Sequence, residues 1–318
     1  MDNFEQFKTK RELWIQCLNG EDKNSIMKQI YHMIWNAAVF KIVNESIRLA
    51  PVDKNGVKQL NGMVFNLVDN CFFESQFIAI RRLTDSNSLE GNKSVFSLIP
   101  LLLDMKNNIR LLTRSNYFKV EGLEYNYEIV RKKNTEFEQD QRKGKDGVVI
   151  FWVPDELNWE RVIERHREFD RLTEKSEKNR NPNDCVCAKV FDYLIQKLTD
   201  ATKNVKIQVD KFIAHAATPG SREVVNADEI VFTLGYIWNA HKVICQVANF
   251  LDTYLLSRAS HRFLPISQYN NFEFIDKSLV DKAKIKDLQD VWAQYEKETA
   301  NWGGWGLEEF QKERDKNN

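Results

Sequence analysis

A chain of 318 residues, 42% apolar and 29% charged, carries enough apolar material for a sizeable core and enough charge for a solvated surface. Lys+Arg 46 against Asp+Glu 46 leaves a formal net charge of +0, which excludes a chain-wide basic coat for nucleic acid but not a local basic groove. Mean hydropathy is −0.52, and no apolar run approaches the roughly 18–20 residues of a membrane span. Met1-Asp2-Asn3-Phe4-Glu5 lacks the basic and apolar parts of a signal peptide. Five Cys, an odd number, do not make a secreted disulfide framework. The expectation is a cytoplasmic protein with no membrane partner.

Only 12 Gly and 6 Pro interrupt the chain, and polar and apolar residues recur at helical spacing almost throughout. A first strong helix spans residues 25–50. Ile26, Ile30, Met33, Ala37 and Phe40 form one apolar stripe and Tyr31, Ile34, Trp35, Ala38 and Ile42 a second, so much of its circumference is to be buried. A second helix spans residues 59–84, with Val64, Val68, Phe72, Ala79 and Leu83 inward. Its polar track Asn70, Glu74, Arg81 and Asp85 is either a solvated face or a stripe pointing into a cleft. A third helix spans residues 94–112, with Pro100 suggesting a start nearer Ser97.

Residues 116–183 change in texture. Charges dominate, and Gly147-Val148-Val149-Ile150-Phe151-Trp152-Val153-Pro154 is the one strand signal, followed by a charged helix over residues 156–178. This stretch reads as an insertion. A long helix then covers residues 184–215, an aromatic-rich amphipathic one residues 228–257, and a last one residues 278–300. The polar tail from Leu307 is expected to fray. Length alone suggests about two domains. The pattern reads instead as one all-α domain over 1–318. Its core helices lie at about 25–112 and 184–257, its insertion at about 116–183, and its C-terminal helix and tail at about 276–318. There is no internal repeat.

Cys185-x-Cys187 has no second cysteine pair and no His at zinc spacing, so no metal site is expected. No glycine-rich phosphate loop and no nucleophile elbow occurs, and no cofactor is expected. His32, His166, His241 and His261 stand alone, which favours packing or surface roles. Arg165-His166-Arg167 is locally basic and reads as a charged helix face before a nucleic-acid contact.

Two segments stand out together: Ile80-Arg81-Arg82-Leu83-Thr84-Asp85, shortly before Ser97-Leu98-Ile99-Pro100-Leu101-Leu102, and Val209-Asp210-Lys211-Phe212-Ile213-Ala214-His215. In this order and setting they resemble the HEPN superfamily, in particular its abortive-infection AbiU-like branch. The resemblance covers residues 25–112 and 184–257 and leaves the insertion and the last sixty or so residues unexplained. It implies an up-and-down HEPN-like bundle that often dimerises; the charged insertion, with at most a short strand, is read from this chain's own residues. Active members are metal-independent endoribonucleases marked by an Arg, four to six residues, then a His. Here Asp210 fits the position after the Arg and His215 the terminal His, while Val209 stands where the Arg belongs.

Metal-free RNA cleavage needs a base for the 2′-hydroxyl, an acid for the leaving oxygen, and a cation for charge developing on the phosphate. His215 suits the acid/base role near pH 7. Lys211, four residues earlier on the same helix face, is one candidate cation, and Arg81 or Arg82 on the neighbouring helix is another. Arg81 and Asp85 are also four apart, so a plain intrahelical ion pair competes with that role. Three functions remain open. They are an AbiU-like ribonuclease or toxin in phage defence, a catalytically inactive bundle binding RNA, a nucleotide or a partner such as an antitoxin, and a scaffold whose Trp292, Trp302 and Trp305 dock a partner. A homodimer is expected for the first.

Overall fold

The computed structural model describes residues 2–56, 58, 62–87, 89, 95–143, 147–148, 152–154, 157–209, 213, 233–258, 262–264, 266, 270–273 and 282–316. Among these residues there are eleven α-helices and no sheet; the only β-type pairings are the isolated bridges Val52–Lys58 and Thr113–Cys185. No helix among them is long and apolar enough to cross a membrane.

Helix α1 (Asn3–Asn19) precedes α2 (Ile26–Leu49), the hub of the bundle. Both apolar stripes of α2 are used: Ile26, Ile30, Met33, Ala37 and Phe40 are buried, and so are Ile34, Ala38 and Ile42. A helix apolar on two sides has to be covered on both, and α2 touches α1, α3 (Gly62–Leu83), α9 (Leu234–Phe250) and α10 (Ile285–Trp302). Phe40 and Phe72 stack at 3.6 Å to join α2 and α3. Helix α4 (Leu98–Asn107) starts beyond Ser97, as Pro100 requires, and closes in a 3₁₀ turn, Ile109–Leu111. Helix α8 (Ala188–Gln208) packs on α3, α4 and α9 through Val190, Phe191, Leu194, Leu198 and Val205. Helix α9 ends in a π-helical turn, Leu251–Leu255, whose exit carries Ser257 at φ 54°. Arg11 closes this end, its Nε and Nη2 both donating to the carbonyl of Leu256.

Three short or charged helices lie between α4 and α8: α5 (Arg114–Val120), α6 (Tyr127–Arg142) and α7 (Trp159–Thr173). The stretch leaves and rejoins the bundle at one place, because Thr113 bridges to Cys185 and Val186 N donates to Leu112 O at 3.1 Å. Cys185-x-Cys187 therefore serves as a backbone tie; Cys187 N donates to Leu172 O at 2.8 Å. The expected strand at residues 147–154 does not form among its described members, and 149–151 lie outside the described residues. Val148 and Trp152 are 96% and 94% exposed.

The C-terminal tail differs from its reading. Instead of fraying it forms α11 (Leu307–Lys316), which buries Leu307 and Phe310. Trp302 and Trp305 are buried in the molecule's own core, and Trp292 packs edge-on against Trp35. Trp302 and Trp305 are thus taken up by the fold itself, and Trp292 is half-buried.

Candidate functional site

The end of α3 carries the first singled-out segment. Leu83 is buried in the core and Ile80 beside it, which turns Arg81, Arg82 and Asp85 outward or to the rim. Arg81 Nη1 meets Asp85 Oδ2 at 3.1 Å, the intrahelical pair that i,i+4 spacing allows. Asn70 and Glu74, about three and two turns earlier, are exposed, so the polar track of α3 is a solvated face along most of its length. Asp85 is held from its other side by Asn87 N, which donates to Oδ1 at 2.9 Å. Ser97 Oγ donates to Leu83 O and Asp85 O, at 2.9 and 2.8 Å, and clamps the turn after α3 to the start of α4.

Arg82 is exposed and reaches Asn24 Oδ1 with Nη2 at 3.4 Å, a long hydrogen bond. Together with Asn24, Gln29, Asp85, Leu89, Val95 and Phe96 it lines a cavity of about 400 Å³. Gln29 Nε2 donates to Phe96 O at 3.0 Å and to Asn24 O at 2.5 Å, so the wall opposite Arg82 is tied down.

The second segment is described only at its edges. Val209 continues α8 in helical geometry and is 4% exposed, packed in the core. A long cation at that position would have to leave a charge among apolar neighbours, which is costly. Ile213 also packs against the core. Asp210, Lys211 and His215 lie outside the described residues. Helices α3 and α8, whose ends bear the two segments, pack directly against each other.

The other histidines resolve into packing roles. His241 is fully buried on α9, with neither ring nitrogen hydrogen-bonded among the described residues, and burial, aided by the Lys41 charge, pushes its pKa down to about 3. Lys41 sits over the rings of Trp238 and Tyr295, at 5.0 and 3.8 Å. His32 is exposed, and His261 lies outside the described residues.

His166 belongs to a buried ionic knot that the sequence reading passed over. Arg114, the first residue of α5, is wholly buried; it meets Asp170 at 2.9 Å and Asp184 at 3.4 Å and donates to His166 O at 3.1 Å. Arg180 holds the other side of Asp170 at 2.8 Å. His166 Nε2 lies 2.8 Å from Tyr125 O, which makes Nε2 the protonated nitrogen and leaves Nδ1 to accept from Arg114 at 3.4 Å. Burial lowers the His166 pKa, with smaller contributions from the Arg180 and Arg114 charges in the same direction. In the tripeptide flagged as basic, Arg165 is taken up by Glu121 at 2.8 Å and by Glu168 at 2.5 Å. No sequence signal marks the knot, since Arg114 stands more than 50 residues from its partners and charged residues are expected outside. Among the described residues no group of His, Cys, Asp and Glu could hold a metal ion.

Comparison with family models, with curated proteins and with solved structures finds no match to this chain.

Proposed function

We propose that the chain is an AbiU-like member of the HEPN superfamily, acting as a metal-independent endoribonuclease of the toxin or phage-defence type. His215 is its general acid/base. The reading is carried by the contact between α3 and α8, the two helices whose ends bear the motif segments. Asp85 balances the charge of Arg81 at 3.1 Å, so the phosphate-binding cation is assigned to Lys211, with Asp210 as its neighbour in the motif. In the reaction a neutral His215 takes the proton of the 2′-hydroxyl. The 2′-oxygen attacks phosphorus, and the 5′-oxygen leaves with a proton from a protonated His215. In a homodimer the two imidazoles come from two copies.

A second reading has an observation of its own. Val209 is packed into the core where the family pattern has Arg. Loss of one stabilising donor commonly costs about 10²–10³ in rate. That favours a bundle that binds RNA or a nucleotide without cleaving it, or that serves a protein partner such as an antitoxin. Incubation of mixed RNA with purified protein in EDTA separates the two. Cleavage by wild type that disappears in His215→Ala supports the nuclease. A folded, dimeric preparation that cleaves nothing overturns it and leaves the binding reading.

A further inference from the structure

We infer that the cleft between α9 and α10 binds a small zwitterion, a free α-amino acid with a polar side chain. Lys242 takes its carboxylate and Glu298 its ammonium. The inference stands apart from the ribonuclease reading, whose residues lie on α3 and beyond the end of α8.

The cleft is lined by Trp238, Asn239 and Lys242 from α9 and by Glu298, Asn301 and Trp302 from α10. Its volume of about 360 Å³ lies within the range of small-molecule sites, about 300–1,000 Å³. Its walls are held by packed rings. Trp238 lies 6.0 Å from Phe72 and 6.1 Å from Tyr295, and the buried Trp302 meets Tyr295 edge-on at 6.0 Å. Beyond Trp302, Asn249 Nδ2 donates to Gly303 O at 2.6 Å, which ties the exit of α10 to α9. A site carried on two helices fixed in this way is preorganised.

The polar groups in the cleft are unused. Lys242 is exposed and makes no ion pair among the described residues. The side-chain amides of Asn239 and Asn301 are exposed and make no hydrogen bond among those residues. On the α10 side, Glu298 Oε2 accepts from Lys41 Nζ at 3.4 Å, which leaves Oε1 for a second donor. Lys41 is itself seated over the Tyr295 ring at 3.8 Å, so Glu298 is held in place. The cleft thus offers one cation and one carboxylate, on different helices and not paired with each other. A plain anion would be opposed by Glu298 and a plain cation by Lys242. A molecule carrying both charges complements both, and the two amides supply donors and acceptors beside them.

A second observation points to what the ligand carries. Trp238 is the wall behind which His241 and Tyr295 stand, with ring centroids 5.5 and 6.1 Å away. His241 is 0% and Tyr295 1% exposed, and neither the two imidazole nitrogens nor the phenolic oxygen has a hydrogen-bond partner. Buried polar groups without partners are rare in folded proteins, because each costs stability, and they concentrate where function dictates the residue. A hydroxyl or amide reaching round the Trp238 ring supplies the missing partner, which selects a polar side chain.

The test is thermal unfolding of the full chain with L-serine, L-threonine, L-asparagine and L-glutamine at millimolar concentration, followed by calorimetric titration. At least one is expected to raise the unfolding midpoint by about 2 °C or more. Ethanolamine and 3-hydroxypropionate, which each keep one of the two charges of serine, are expected to do nothing. Lys242→Gln is expected to weaken binding by about tenfold or more, and Lys242→Arg to retain it. Lys242 is exposed and unpaired, so the unliganded midpoint of both variants should match wild type. His241→Leu is expected to shrink the ligand-induced shift. No response of wild type to any of the four, equal binding of the single-charge controls, or wild-type affinity in Lys242→Gln overturns the site. RNA cleavage, present or absent, bears on none of these outcomes.

Discussion

The bundle and the stretch that interrupts it hold together by different physics. Helices α2, α3, α4, α8 and α9 meet through aliphatic and aromatic side chains, with Met33, Ile34, Leu101, Leu194 and Ile244 all wholly or almost wholly buried. The α5–α7 stretch has a small apolar cluster of its own around Phe118, Val130 and Val162, and it lends Tyr117, Phe169 and Leu172 to the main core. To this it adds a set of buried or half-buried ion pairs that the bundle lacks at comparable density: Arg114 with Asp170 and Asp184, Arg180 with Asp170, and Arg165 with Glu121. Apolar packing is non-directional, so losing one member leaves a cavity but no unpaired group, whereas a buried ion pair becomes an uncompensated buried charge when its partner is removed. The two regions should therefore fail in different ways.

The largest effect is expected from Arg114→Met, which leaves Asp184 without its cation and Asp170 with Arg180 alone, and should cost about 3–5 kcal/mol. Hydrogen exchange checks where the loss falls. Protection should drop in α5–α7 and hold in α2 and α8; a uniform drop across all helices would erase the contrast between the regions. Leu194→Ala, in the wall of α8, should cost about 2–5 kcal/mol and lower the denaturant midpoint of the whole bundle. A smaller effect belongs to His241. Its nitrogens are buried without partners, so His241→Leu should raise stability at neutral pH by about 1 kcal/mol.

The same residue gives the bundle an acid sensitivity with a definite sign. Folded His241 stays neutral down to about pH 3, while the unfolded chain takes up its proton near the ordinary value of 6.5. Stability contributed by the neutral form is complete above 6.5 and declines as pH falls from there towards 3, by up to about 1.4 kcal/mol per pH unit. His166, also lowered, starts its decline at the same upper limit within the α5–α7 stretch. Urea titrations from pH 7 to 4 should therefore show a shallower slope in His241→Leu, and an unchanged slope would refute the account. The smallest effect is Arg81→Gln. Its i,i+4 pair with Asp85, 23% and 21% exposed at the helix end, is worth under about 1 kcal/mol, so thermal unfolding should move little.

Much of the bundle was readable in periodicity because apolar spacing is a local signal. The expected helix at 25–50 is Ile26–Leu49, and that at 59–84 is Gly62–Leu83. The helix expected over 228–257 begins only at Leu234 among the described residues and finishes as a π-helical turn, a switch of hydrogen-bond pattern that hydropathy does not encode. Helix α6 was hidden because Val130 and Asn134 are its only buried residues, and α1 because its apolar positions Phe7, Trp14 and Cys17 are spread among charges. Of the site, Arg81–Asp85 could be read from spacing alone. The cavity could not, since Asn24 and Gln29 meet Arg82 and Phe96 only when α2, α3 and α4 are assembled.

The connection between α6 and α7 leaves a practical handle. Trp152 stands 94% exposed, while the other seven tryptophans are buried or half-buried. An indole in water emits at longer wavelength than one in a core and is reached first by collisional quenchers. The red edge of the intrinsic fluorescence therefore reports on this one connection. Whatever comes to cover it will announce itself as a blue shift, with no label attached.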